Sequence, residues 1–187
     1  MQFSRNRLGI IIIICFLVLI LVIYTSTSSP NDYKITAHNV STSNFEGYGM
    51  SFNYPSNWNL TTDGSQGLTI LVSPNFQNNE APSMTISTMQ NPQGESYQDA
   101  INTVTAPPPD PTYHLISNKT TTVDNITAYI NYFTVDDPAH YTQNMTLEYV
   151  YMVENGTTYT LIVSAPLNEF NNDQANFNTM INSFKIL

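Results

Sequence analysis

The residues best suited to metal chemistry lie in one short segment, Asp136–His140, with the sequence DDPAH. Its two carboxylates and one imidazole offer the oxygen and nitrogen ligands that divalent cations bind. Adjacent Asp side chains diverge on an extended chain, however, and neither a fourth ligand nor a calcium-loop pattern accompanies them. Asp136, Asp137 and His140 are therefore candidate metal ligands, and the simpler interpretation is a solvated acidic turn.

Nucleophilic catalysis requires a base held against the nucleophile and an acidic group that orients the base. Of the three histidines, His38 lies in a polar segment, His114 at a predicted strand start and His140 in a loop. Ser51 lies inside a strand-like run that lacks the last glycine of a nucleophile elbow. The sequence therefore predicts no catalytic residue and no cofactor. The alternative is a metal-handling or hydrolytic enzyme that uses the Asp136–His140 loop.

The charge balance excludes one large class of partner. The chain carries 14 Asp and Glu against 5 Lys and Arg, a formal net charge of −9. Arg5 and Arg7 precede a long apolar run, so the chain beyond that run has only three Lys to balance all 14 acids. So few cations do not neutralise a phosphate backbone, which excludes nucleic-acid binding. The single cysteine, Cys15, rules out an internal disulfide and a multi-thiolate zinc site.

The uncharged run Leu8–Tyr24 predicts a transmembrane helix near the N-terminus. At 1.5 Å per residue it is about 25 Å long, the short end of what spans a bilayer. Arg5 and Arg7 flank its N-terminal side, which places residues 1–7 in the cytoplasm and the following chain outside. The alternative is a cleaved signal peptide, although the run is longer than usual and no A-x-A-like site follows it.

Beyond the anchor we expect a flexible stalk at residues 25–43 and a domain at residues 44–187. The expected partners are the lipid bilayer, through the helix, and a cell-envelope protein or surface ligand. Asn-x-Ser/Thr sequons are compatible with surface glycosylation, although a chain so rich in Asn, Ser and Thr contains nearly as many by chance. The sequons begin at Asn39, Asn59, Asn118, Asn125, Asn144 and Asn155.

The pattern of residues 44–187 predicts an α+β domain with an antiparallel sheet. Ser96 is placed to cap a helix that must end before the proline-rich segment at 106–111. Apolar residues recur at helical spacing after Pro166 and predict a closing amphipathic helix. Asp124-Asn125 and Asn155-Gly156 suit two-residue hairpin turns, so the later strands should form a meander. The predicted strands are Met50–Tyr54, Gly67–Ser73, Ser83–Gln90, Tyr113–Val123, Ile126–Val135, Met145–Glu154 and Thr157–Ala165.

The stretch Gly47–Trp58, GYGMSFNYPSNW, resembles the opening of the PsbP family, in which a strand ends in Tyr-Pro shortly before Trp. Residues 177–184, FNTMINSF, are similar to that family's final helix, and the helix from Ser96 falls at the expected place between them. The resemblance covers about residues 45–187. It implies an α/β/α sandwich, an antiparallel sheet flanked by helices, shared with a Ran-binding nuclear-transport protein. It does not imply a photosynthetic role, because nothing here resembles the photosystem-binding N-terminal region of the founding members.

The single tryptophan and a group of five other aromatic residues are suited either to a core or to a binding surface. Pro55 ends a strand and turns the chain so that Trp58, the single tryptophan, plugs one end of the core; the alternative is a stacking residue in a binding site. The group of five suits a cross-strand ladder, which is core if both sheet faces are covered and a binding surface if one is not. It comprises Tyr129, Phe133, Tyr149, Tyr151 and Tyr159.

The resemblance and the anchor together predict a membrane-anchored extracytoplasmic PsbP-like domain that acts as a binding or scaffolding module. The enzyme described above is one alternative, and a purely structural envelope protein is another. A site in which His114, His140 and two carboxylates converge would favour the enzyme.

Overall fold

The computed structural model describes residues 41–187 apart from 65–67, 94, 107 and 109. The predicted cytoplasmic N-terminus, the predicted transmembrane segment at 8–24 and residues 25–40 of the predicted stalk lie outside the described residues, as do Cys15 and His38. Among the residues described, no helix has the length and apolar character needed to cross a bilayer.

Strands make up most of the described chain. Two helices interrupt them, one in the middle of the domain and one near its C-terminal end. In chain order the elements are β1 (Thr42–Gly47), β2 (Met50–Pro55), β3 (Asn59–Asp63), β4 (Thr69–Ser73), β5 (Ser83–Gln90), α1 (Tyr97–Thr105), β6 (Tyr113–Val123), β7 (Ile126–Val135), β8 (Met145–Glu154), β9 (Thr157–Pro166), α2 (Phe170–Ser183) and β10 (Lys185–Ile186).

The strands form two antiparallel sheets. The larger sheet has seven strands in the order β3-β4-β5-β9-β8-β7-β6, and the smaller has three in the order β1-β2-β10. Strands β6 to β9 follow one another as a meander, whereas β5 reaches β9 across the chain, with Ser83 paired to Ser164. This long-range pairing joins the first half of the domain to the second.

One face of the seven-stranded sheet carries the main core. Successive side chains of a strand point to opposite faces, and most of those on this face of the inner strands β4, β5, β7, β8 and β9 are buried beneath α2 and the three-stranded sheet. Trp58 is 6% exposed and meets Phe177 of α2 edge to face at a centroid distance of 6.1 Å, which confirms its predicted place in the core. The buried sheet residues include Ile70, Val72, Met84, Ile86, Val150, Met152, Leu161 and Val163.

Local signals in the sequence set the turns and the first helix. Asp124 and Asn125 have φ of 50° and 61°, and Asn155 and Gly156 have φ of 49° and 74°, as type I′ turns require. The Ser96 hydroxyl accepts a hydrogen bond from the Asp99 backbone N–H at 3.1 Å and begins α1 as predicted.

The described domain is mostly β-sheet with two helices, and the helices lie against opposite faces of the seven-stranded sheet. Strands β1, β3 and β10 were not predicted, and β1 begins at Thr42, inside the segment assigned to the stalk. With β2, strands β1 and β10 add a second sheet to the single sheet that the sequence indicated. The predicted boundaries of β5, β6, β7 and β8 agree with the structure.

Candidate functional site

The predicted metal segment forms the loop between β7 and β8, and its polar atoms are largely paired within the loop. Asp137 Oδ2 lies 2.6 Å from His140 Nδ1, and Asp137 Oδ1 accepts a hydrogen bond from the Ala139 N–H at 3.1 Å. Asp136 is outside this pair, and its backbone N–H donates to the carbonyl of Thr112. Nowhere in the described chain do three His, Cys, Asp or Glu side chains converge as a metal site requires.

Glu80, in the connection between β4 and β5, holds the same loop in place. Its carboxylate accepts hydrogen bonds from the backbone N–H and hydroxyl of Thr142 and from the side-chain amide of Gln143. These bonds, the Thr142 N–H first, hold the pKa of Glu80 below its ordinary value because they favour the charged form. A carboxylate that already has three donors acts as a structural anchor for the loop.

Among the described residues, those that a hydrolase built on Ser51 would need are not joined by hydrogen bonds or ion pairs. Ser51 lies in β2, where it pairs with Glu46 of β1 and Lys185 of β10. Among the described residues, no hydrogen bond or ion pair joins Ser51 to a histidine, and none joins His114 to the Asp137–His140 pair. The geometry therefore gives no support to a triad built on Ser51.

Glu148 of β8 is a buried acid that the sequence reasoning missed. It is 5% exposed on the core-facing side of the sheet. Burial raises the pKa of the Glu148 carboxyl, while a hydrogen bond from Tyr132 and the charge of Lys119 act in the opposite direction. Lys119 Nζ in turn lies 5.1 Å from the centroid of the Tyr132 ring. The sequence contained a signal for this burial. Along β8 the side chains alternate between the two faces, and Glu148 falls on the same face as Thr146 and the buried Val150.

The second face of the seven-stranded sheet is covered over only part of its width. Ala100 and Ile101 of α1 pack with Val153 of β8 and Tyr129 of β7. On β4, β5 and β9, most side chains that point to this same face are only half-buried, whereas most of their strand neighbours on the core face are fully buried. At the ends of these strands Ser73 and Thr158 are buried and Met89 is exposed. We call this surface the open face; it consists of Thr69, Leu71, Ser83, Thr85, Ser87, Thr160, Ile162 and Ser164.

The strand register arranges the open face in rows that run across the sheet. One row is hydroxyl-bearing, Thr69 beside Ser87 beside Thr160, and ends at Tyr151 of β8. The next row alternates apolar and hydroxyl side chains: Leu71, Thr85, Ile162 and then Tyr149 of β8. Neighbouring positions in a row are about 4.8 Å apart, the spacing between strands.

The hydroxyl groups in the middle of the open face have no partner among the described residues. Among the described residues, no hydrogen bond involves the side chains of Thr85, Ser87 or Thr160, whereas Ser83 Oγ and Ser164 Oγ bond to each other at 2.9 Å. A hydroxyl both donates and accepts. The central hydroxyls therefore retain their full hydrogen-bonding capacity for solvent or for a ligand.

Aromatic residues form the border between the covered and open halves of this face. The rings of Tyr149 and Tyr151 stack at 5.7 Å, and Phe133 meets Tyr149 edge to face at 5.5 Å. Burial raises the pKa of both tyrosines. Tyr129 shares this face, so the predicted ladder is correct for four residues; it is wrong for Tyr159, which faces the main core and contacts Phe184.

A cleft of about 290 Å³ opens beyond the Thr160 end of the open face. Asn91 and Glu95, which precede α1, and Glu154 of β8 line it together with Tyr97. Thr158, two residues before Thr160 on β9, donates a hydrogen bond to Asn91 Oδ1 at 2.7 Å. The open face therefore continues at this end into a polar cleft with two carboxylates.

The similarity of this chain to known proteins identifies its family. A family model for PsbP matches residues 41–186. The chain belongs to the PsbP family. The sequence resemblance is confirmed and extends over the whole described domain. A comparison with curated protein sequences finds no match.

Three of the solved structures with a similar fold come from a cyanobacterium, a yeast and a mycobacterium. The solution structure of cyanobacterial PsbP (CyanoP) from Synechocystis has a TM-score of 0.55 at 14% identity and covers 81% of this chain and 96% of its own. The Saccharomyces cerevisiae Ran-binding protein Mog1p has a TM-score of 0.52 at 9% identity, covering 79% and 96%. LpqN of Mycobacterium tuberculosis, involved in cell envelope biogenesis, has a TM-score of 0.52 at 13% identity, covering 79% and 86%. At these identities the likeness shows the fold alone.

Proposed function

We propose that this PsbP-family protein is a membrane-anchored, extracytoplasmic binding module that contacts its partner through the open face. The observation that carries the proposal is the arrangement of half-buried side chains in register on β4, β5 and β9. These strands lie in the interior of the sheet and are paired on both sides, so their backbone is held rigidly. A rigid surface whose hydroxyls have no partner among the described residues is suited to binding, because little conformational entropy is lost when a ligand orders it.

The proposed location rests on the sequence. Arg5 and Arg7 precede the apolar run Leu8–Tyr24, and the positive-inside rule then puts residues 25–187 outside the cytoplasm. The fold shared with LpqN, a protein involved in cell envelope biogenesis, is consistent with such a location.

Binding is a better match to the geometry than catalysis. In the part of the chain that the structure describes, no hydrogen bond or ion pair joins the Asp137–His140 pair to the buried Glu148, and Glu148 points to the opposite face of the sheet from the rows of the open face. The central residues of that face, Thr85, Ser87 and Thr160, are neutral and have no described acid or base hydrogen-bonded to them. Such a surface recognises a molecule without changing it chemically.

Protease treatment of intact cells tests the location. Full-length protein should fractionate with membranes, and external protease should remove the chain beyond about residue 29 while leaving the N-terminal segment behind. Recovery of a soluble form that begins near Thr25 would instead support a cleaved signal peptide and contradict the anchor.

Lysine substitutions test the surface. Membranes that contain the wild-type protein are cross-linked mildly, and the molecules that co-purify with it are recovered. The full chain with Thr85→Lys and Thr160→Lys should no longer recover these molecules. Thr121→Lys serves as the control, because it adds the same side chain at an exposed position of β6 that the register places on the other face. Equal recovery from all three proteins would contradict a role for the open face.

A further inference from the structure

We propose that the open face binds an uncharged glycan chain; this inference rests on the proposed function and names the chemical class of its ligand. Three properties of the surface point to this ligand: hydroxyls without a described partner, apolar positions between them, and a single charged residue among the described residues of its rows, Asp63, although the domain is acidic.

The hydroxyl row supplies hydrogen bonds of the kind that sugars exchange. Ser87 lies directly across from Thr160 and from Thr69, so three hydroxyls stand in line at about the strand spacing of 4.8 Å. Each hydroxyl donates and accepts, as each sugar hydroxyl does. A row of such groups can therefore match a chain of sugar rings without requiring a fixed donor or acceptor pattern from it.

The neighbouring row supplies the apolar contacts that the C–H faces of pyranose rings make. Leu71 and Ile162 flank Thr85, and the half-buried ring of Tyr149 follows Ile162 in the same row. Tyrosine presents an apolar ring with a polar tip, which suits a ligand that is itself amphipathic. A hydroxyl row therefore lies beside a row of mixed apolar and hydroxyl positions, and a sugar chain likewise presents both hydroxyl groups and apolar C–H faces.

The charges on and around the open face favour a neutral glycan over a polyanionic one. Among the described residues of these rows, the one charged residue is Asp63, at the outer strand β3. Beyond the Thr160 end of the open face, Glu95 and Glu154 line the cleft. The whole chain after the apolar run has three Lys against 14 acids. Sulfated or carboxylated chains would be repelled by this surrounding field, whereas neutral hydroxyls would find additional acceptors in the cleft.

The test measures retention of the full chain, in phospholipid nanodiscs free of sugar detergents, on immobilised polysaccharides. The probes are dextran, mannan and galactomannan as neutral chains, and dextran sulfate and alginate as anionic ones. The variant Thr85→Val with Thr160→Val removes two hydroxyls and keeps the side-chain shape. Thr121→Val on β6 is the matched control. Each neutral hydrogen bond contributes about 2- to 13-fold in affinity, so the double variant should bind at least about fivefold more weakly at an unchanged melting temperature.

The expected result is retention on a neutral polysaccharide, weaker retention on the anionic ones, loss in the double valine variant and no change in Thr121→Val. Retention on no neutral chain, a preference for dextran sulfate, or equal binding by the double valine variant would each overturn the glycan proposal. The protein could be retained on none of the polysaccharides while Thr85→Lys with Thr160→Lys still abolishes co-purification of the molecules cross-linked in membranes. The partner is then of another chemical class, and the proposed function stands. If the lysine pair also has no effect, both proposals are wrong.

Discussion

Replacing Trp58 with alanine tests the packing on which the PsbP-like core depends. The indole is 6% exposed and belongs to the same buried cluster as Phe170 and Phe177, with Phe177 edge to face at 6.1 Å. Truncating a large aromatic residue in a core costs about 3–5 kcal/mol. Small domains are stable by about 5–15 kcal/mol, so Trp58→Ala should remain folded only marginally.

The assay is thermal and urea unfolding of the variant and of two controls. For a domain of about 150 residues, 3–5 kcal/mol corresponds to a melting temperature lower by about 6–20 °C. Trp58→Phe keeps an aromatic ring against Phe177 and should lose less. Tyr48→Ala removes an aromatic ring that is 66% exposed and should change stability by no more than about 0.5 kcal/mol.

Fluorescence gives an independent measure, because Trp58 is the single tryptophan. Its emission in the folded protein should be blue-shifted and poorly quenched by iodide. Red-shifted and freely quenched emission, or a Trp58→Ala variant as stable as Tyr48→Ala, would refute the core assignment. Trp58 would then become the first residue to test for binding.

Three further predictions follow from the structure. Burial raises the folded-state pKa of Glu148 above its ordinary value of 4.5. The folded protein therefore loses stability as the pH rises from 4.5 through the folded-state pKa, where the buried carboxyl must ionise. Glu148→Gln should raise the melting temperature at pH 7 and lose that advantage below about pH 4. Deleting residues 177–187 removes four buried apolar residues worth together about 6–12 kcal/mol and should abolish cooperative unfolding; a sharp transition near the parent temperature would contradict this. Added Zn²⁺ should leave the melting temperature unchanged if the 136–140 loop is a solvated turn, whereas a rise that His140→Ala removes would support the metal alternative.

Local signals allowed the hairpins and the first helix to be predicted. Asn155-Gly156 and Asp124-Asn125 specify turns with positive φ whatever the rest of the chain does. Ser96 likewise caps α1 through a contact with Asp99, only three residues away. Elements of this kind follow from a few neighbouring residues, so a single sequence is sufficient to place them.

The strands that were missed depend on distant partners. β10 consists of Lys185 and Ile186, which form a strand because they pair with Ser51 and Met50 of β2. β3, with the sequence NLTTD, has one apolar residue and is a strand because it pairs with β4. No local pattern distinguishes such short segments from loops.

The open face was visible in the sequence only in part. In β9 the positions between the apolar residues, Thr160, Ile162 and Ser164, are only partly polar, which indicates a face that is neither core nor fully solvated. Its extent depends on the pairing of β5 with β9, where Ser87 meets Thr160. That register joins segments more than 65 residues apart in sequence and is fixed by the packing of the whole sheet.

Site-specific photo-cross-linking tests the central claim, that the open face is the binding surface, most directly. A photoreactive amino acid would replace Thr160 on the open face or, as the control, Thr121 on β6, in the full chain expressed in its own cells. We predict an adduct from position 160 after irradiation of intact membranes and none from position 121. Adducts of equal yield from both positions, or from position 121 alone, would contradict the claim.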